Sequence, residues 1–128
     1  MILPITLCAA AAAGLINVWL ALRTGQIRRA AKISIGDGGH EPLVRRMRAQ
    51  LNFVEYALVF LVLVFAIELA RPGNMVLAVI VAVFMLGRVA HGIGMDGEFK
   101  AGRPIGTATA LLGTAGLAIW AVAIALAK

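Results

Sequence analysis

EPLVRRMRAQLNFVE, residues Glu41 to Glu55, opens a long apolar segment yet carries Arg45, Arg46, Arg48, Gln50, Asn52 and Glu55. At about 100° per residue, a helix gathers Arg45, Arg48, Asn52 and Glu55 into a sector of roughly 80° on one face. Between Leu51 and Leu69 only Asn52, Glu55, Tyr56 and Glu68 are not apolar. A helix entering a bilayer with Arg, Asn and Glu on one face must aim that face at protein, water or a ligand, because lipid cannot solvate it.

The composition supports the bilayer. Of 128 residues, 62% are hydrophobic and 14% charged, with a mean hydropathy of +0.95, which no ordinary soluble domain of this length matches. The length allows one domain, residues 1–128, and the apolar runs allow four membrane spans. The net charge of +6 comes from basic residues that flank the spans, so it reads as orientation signals and lipid headgroup contacts rather than nucleic-acid binding. The single cysteine, Cys8, excludes an internal disulfide and reads as a small buried apolar residue. His40 and His91 lack metal-ligand spacing to any carboxylate pair, so no metal site is expected.

Working outward, span one covers about Ile2 to Leu22. It has no basic region before its apolar core and is read as a retained helix rather than a cleaved signal. Asn17 is its one strongly polar interior residue and is expected to hydrogen-bond between helices. Arg23, Arg28, Arg29 and Lys32 extend this helix beyond the membrane until Gly36-Asp37-Gly38-Gly39 forces a turn. Span two starts near Pro42, a good first-turn residue, and runs to Ala70. Its length of roughly 43 Å exceeds the ~30 Å hydrocarbon core, so its first turns should project with their arginines. After Arg71-Pro72-Gly73, Asn74 is placed as the N-cap of span three, about Met75 to Ile93, which is apolar until Gly87 and then gives Arg88 and His91 on one face. The loop Gly94 to Arg103 follows. Span four starts at Pro104 and runs to about Ala127, with Gly106, Ala110, Gly113 and Leu117 near helical spacing for a tight helix interface.

Basic residues concentrate in the segments joining spans one to two and three to four, while the other side carries Arg71 and Lys128. The positive-inside rule therefore predicts both basic segments in the cytoplasm and both termini on the other side of the membrane. Arg48, Asn52, Glu55, Arg88 and His91 then lie at one depth near the cytoplasmic boundary. No nucleophile triad or carboxylate pair can be assembled. A cationic cluster with one carboxylate and one amide suits a zwitterionic ligand rich in carboxylates, since arginine binds carboxylates bidentately and Glu55 would take an ammonium. The alternative is that Glu55 pairs with Arg48 or Arg88 in a polar plug.

Arg48-Ala-Gln-Leu-Asn-Phe-Val-Glu55 resembles the helix-two signature of the membrane-associated proteins in eicosanoid and glutathione metabolism, the MAPEG family. Gly87-Arg88-Val89-Ala90-His91 is similar to its helix-three motif, and Pro104-Ile105-Gly106-Thr107 sits where its helix four begins. The turn Ile33-Ser34-Ile35-Gly36-Asp37-Gly38-Gly39 and Asn52-Phe53-Val54-Glu55-Tyr56 resemble its small bacterial branch. The resemblance implies an all-α integral membrane protein, a four-transmembrane-helix bundle assembled as a homotrimer, with glutathione bound between subunits. It implies glutathione-holding roles for Arg48, Asn52, Glu55, Arg88 and His91, and transferase or peroxidase activity on a lipophilic small molecule delivered from the membrane lipids.

Departures fall in helix four. A tyrosine four residues after the helix-three histidine is Met95 here, and the family's thiol-activating arginine and nearby tyrosine align with Gly106 and Ala110. Thr107 keeps the hydroxyl of a serine. A free thiol has a pKa of ~8.5, so its ionisation needs a nearby cation. By the resemblance, Arg103 or Arg88 would have to supply that charge, with Thr107 as a third catalytic candidate. The rival reading is a non-catalytic membrane binding or scaffold protein with the same fold. A small multidrug transporter, of similar length, usually has an ionisable carboxylate in its first span, and none is present.

Overall fold

Four helices account for nearly all of the chain in the computed structural model, which describes residues 1–127: α1 Pro4–Ala31, α2 Glu41–Ala70, α3 Met75–Met95 and α4 Gly102–Leu126. Lys128, counted in the charge asymmetry, lies outside the described residues. Each helix is long and apolar enough to cross a bilayer. They run alternately up and down, so the α1 C-terminus, α2 N-terminus, α3 C-terminus and α4 N-terminus share the basic end.

The helix boundaries follow local chemistry. Helix α1 continues through its basic turns and stops at Lys32, whose φ of 56° is left-handed, before Gly36, Gly38 and Gly39 reverse the chain at φ of 71°, 58° and 70°. Pro42 sits in the first turn of α2 as expected, with the His40 ring accepting from the Leu43 amide at 3.4 Å. Asn74 caps α3, its Oδ1 accepting from Val76 and Leu77 at 2.9 and 3.2 Å. Helix α4 starts at Gly102 rather than Pro104, because proline tolerates any position in a first turn, not only its start.

Each helix buries one stripe. Ala9, Ala13, Ile16 and Leu20 of α1 meet Ala49, Phe53, Ala57, Phe60 and Val64 of α2, and Leu77, Val81, Phe84 and Met85 of α3 complete the core. Phe60 and Phe84 stack with centroids 3.7 Å apart and planes inclined by 7°. The small-residue stripe of α4 packs inside the subunit: Ala110 and Leu117 are fully buried, and Gly113 faces Phe60 and Phe84. One expectation for α1 needs correction: Cys8 is exposed on the subunit, because the α1 stripe facing the bundle runs through Ala9, Ala13 and Ile16 instead. Asn17 is exposed on the subunit as well and makes no hydrogen bond to another helix of the same subunit among the described residues.

The opposite end holds a contact between distant residues. Glu68, completely buried near the end of α2, accepts from the backbone amides of Ile5 at 2.9 Å and Thr6 at 2.6 Å. Helix α1 has no side-chain cap of its own, so this carboxylate satisfies its orphan donors and sits at the positive end of its dipole. Glu68→Gln keeps the shape but leaves one acceptor oxygen for two amides. It should lower stability by about 1–2 kcal/mol, the net worth of one such bond, read from melting curves in mild detergent. A variant melting with the wild type would show that the cap contributes nothing.

Candidate functional site

The polar face of α2 is divided by the fold. Arg45, Arg48 and Glu55 are exposed on the subunit surface and Asn52 is half-buried. Arg88 and His91 of α3 lie inside, 2% and 5% exposed. Asn52 is the hinge between the groups: Arg88 Nη1 donates to its Oδ1 at 2.6 Å. Arg88 Nη2 donates to the Gly106 carbonyl at 2.5 Å, and its guanidinium lies 5.5 Å from the Tyr56 ring centroid. No carboxylate pairs with Arg88 among the described residues, and its Nε is buried without a partner. The other end of the amide, the Nδ2 donor, makes no hydrogen bond among the described residues.

Arg48 and Glu55 form no ion pair with each other or with Arg88 among the described residues, which removes the polar plug as an arrangement within one subunit. Helix rise puts Glu55 roughly 21 Å along α2 from its start. Helix α2, with 30 residues, is about 45 Å long, some 15 Å longer than a ~30 Å hydrocarbon core, so Glu55 lies several ångströms below the boundary even when all the excess projects at the basic end. A carboxylate there cannot face acyl chains without a cost of a few kcal/mol. Beside this face, Thr24, Arg28, Met47, Gln50, Leu51 and Val54 line an open cleft of about 410 Å³ between α1 and α2.

Helix four has no room for the arginine that the resemblance calls for. A Cβ on Gly106 would collide with the His91 Cβ and would lie 2.6 Å from the Gly87 carbonyl oxygen. The α3–α4 crossing stays close through the following turn as well, where Gly94 and Gly102 each approach backbone of the other helix. Ala110 is core. The Thr107 hydroxyl donates to the Arg103 carbonyl at 3.0 Å, a local bond along its own helix. Arg103 is exposed at the start of α4, and Met95 is half-buried.

Sequence reasoning overlooked the junction at the basic end. Asp96 forms ion pairs with Arg23 and, at 3.2 Å, with Arg46, and Arg46 Nη1 also donates to the Arg23 carbonyl at 2.7 Å. Arg23 in turn lies 4.7 Å over the Trp19 ring. This knot ties α1, α2 and the end of α3 together, and so fixes the rotation of α2 that points Arg48 and Glu55 outward.

The sequence profile of the MAPEG family matches residues 6–123. That span takes in all four helices and the whole polar constellation. The chain belongs to the MAPEG family. It is a multi-pass, all-helical membrane protein of this family, which includes glutathione-dependent transferases and peroxidases. No single curated protein matches the chain. Within the MAPEG frame, the buried Gly106 and Ala110 mark where this chain parts from the expected thiol-activating residues.

Proposed function

We propose that the protein is a glutathione-binding membrane protein that joins glutathione to lipophilic electrophiles, with the tripeptide held between subunits of a homotrimer. The observation that carries this reading is the outward polar face of α2: Arg48, near the membrane boundary, and Glu55, a turn or two deeper, are exposed and unpaired among the described residues, and Asn52 is oriented by a buried arginine. Such groups need a polar partner from outside the subunit, and glutathione supplies two carboxylates and an ammonium. Arg48 takes a carboxylate, Glu55 takes the γ-glutamyl ammonium, and Asn52 Nδ2 donates to a carboxylate or peptide carbonyl.

Arg88 acts from behind this face, while His91 is buried against Gly106 and packs the α3–α4 crossing. Arg88 fixes the Asn52 amide, and its guanidinium, uncompensated by any carboxylate within salt-bridge distance among the described residues, favours an anion nearby. A thiol seated over Asn52 is therefore held closer to its thiolate form. The thiol gives its proton to water, the thiolate sulfur attacks the electrophilic carbon, the C–S bond forms as the bond to the leaving group breaks, and the leaving anion departs. Arg103 and Thr107 have no part in this account.

Both termini are proposed to face the periplasm of a bacterial inner membrane, on the charge asymmetry; a C-terminal reporter active only in the cytoplasm would reverse that orientation. Folded wild-type protein should run as a trimer in native mass spectrometry, bind glutathione by titration calorimetry, and turn over a chloronitrobenzene. Absence of glutathione binding by a folded trimer would sink the reading. Binding without turnover favours the second reading, a non-catalytic MAPEG scaffold, for which the closure of α4 at Gly106 is the specific support.

A further inference from the structure

A second cationic feature lies at the basic end, independent of the glutathione reading. A cavity of about 280 Å³ opens between the first turns of α2, the end of α3 and the start of α4, lined by Arg45, Gly94, Met95, Gly97, Lys100 and Arg103. Three of these six residues are cations and none is a carboxylate. Arg45 is paired with Glu41 at 2.5 Å, but Lys100 and Arg103 have no ion pair among the described residues. Asp96 is held by Arg23 and Arg46, and Glu98 lines an adjoining cavity that shares Arg45, so Lys100 and Arg103 are the cations of this cavity that no carboxylate engages among the described residues.

The remaining surroundings add to the positive potential. Helix α4 begins without a side-chain cap and without an acidic residue in its first turn, so its N-terminal dipole is uncancelled beside Arg103. The position is that of the membrane surface. Helix α3 has 21 residues, about 32 Å, which spans the hydrocarbon core and brings its end to the headgroup level. Phe99, exposed next to Lys100, is an apolar anchor at the same level. The cavity volume falls just below the ~300–1,000 Å³ of pockets for drug-sized ligands, which suits a compact anionic group.

We propose that Arg45, Lys100 and Arg103 form a site for a phosphate group at the membrane surface. Its source is either an anionic phospholipid headgroup, with the acyl chains lying along the apolar exterior of the bundle, or a free phosphate compound. Native mass spectrometry of the full chain, exchanged into phosphatidylglycerol or phosphatidylcholine, distinguishes these sources, with inorganic phosphate as competitor and as a separate calorimetric titrant.

Wild type should retain phosphatidylglycerol in preference to phosphatidylcholine. A surface cation is worth about fivefold in binding to anionic lipid, so Lys100→Gln should weaken retention by about that factor, and Lys100→Gln with Arg103→Gln by more, at unchanged melting temperature. Phosphate binding that both variants lose, without lipid preference, assigns the site to a free phosphate. Equal retention of the two lipids with no phosphate binding overturns the proposal. So does a Lys100→Gln variant that keeps full lipid preference, or one that loses glutathione affinity instead.

Discussion

Glu55→Gln should weaken glutathione binding tenfold to more than a hundredfold while leaving the melting temperature of the assembly close to that of wild type. The carboxylate is exposed on the subunit and pairs with no cation there among the described residues, so folding of the subunit loses no ion pair when its charge is removed. A charge-assisted contact to a ligand ammonium is worth ~1.5–3 kcal/mol, which sets the expected range of affinity. Glutamine has the same shape, so any effect belongs to charge. Calorimetric titration of glutathione with melting curves for both proteins separates the possibilities. If Glu55 serves only to close a contact with a neighbouring subunit, Gln would lower the melting temperature or dissociate the trimer, and affinity in the surviving trimers would be unchanged. That second pattern would remove Glu55 from the ligand site.

Gly106→Ala should destabilise the protein by about 3 kcal/mol, the upper end of what overpacking costs. The added methyl group meets the His91 Cβ and the Gly87 carbonyl oxygen, and neither can rotate away as a flexible side-chain tip would. Separating α3 from α4 to relieve the clash also moves the Gly106 carbonyl that Arg88 holds at 2.5 Å, and through Arg88 the orientation of Asn52. The variant should therefore lose both thermal stability and glutathione affinity. Gly106→Arg, which restores the residue expected from the MAPEG resemblance, should be worse rather than more active. Gly106→Ala melting with the wild type would mean that the helix crossing is looser than its geometry.

The sequence makes the helices plain because membrane spans are written in composition, and their ends in local chemistry: Asn74 and Pro42 act within a few residues of themselves. The outward face of α2 was legible too, since Arg48, Asn52 and Glu55 follow helical spacing. What periodicity could not tell is which group meets which across the bundle. Spans apolar on every side do not announce the stripe that turns inward, so Cys8 reads as buried and lies on the surface. Glu68 and Asp96 were visible as charges, but their partners are Ile5, Thr6, Arg23 and Arg46, tens of residues away. Arg88 and His91 share a face on α3 as spacing suggests, but the closeness of α4 at Gly106, which encloses them, belongs to the pairing of two helices.

The cap that Glu68 places on α1 bears on biogenesis. During synthesis α1 emerges first, and its leading amides have no side-chain acceptor until the far end of α2 has been made. A carboxylate arriving there alone is costly to bury, by ~2.5–3.5 kcal/mol for an acidic side chain deep in the membrane and less near its edge. Each helix thus carries a defect that the other repairs. Insertion should favour the two as a hairpin, which on the proposed orientation holds the turn at residues 36–39 on the side of synthesis, and a truncated chain ending before Glu68 should be retained poorly in the membrane and degraded.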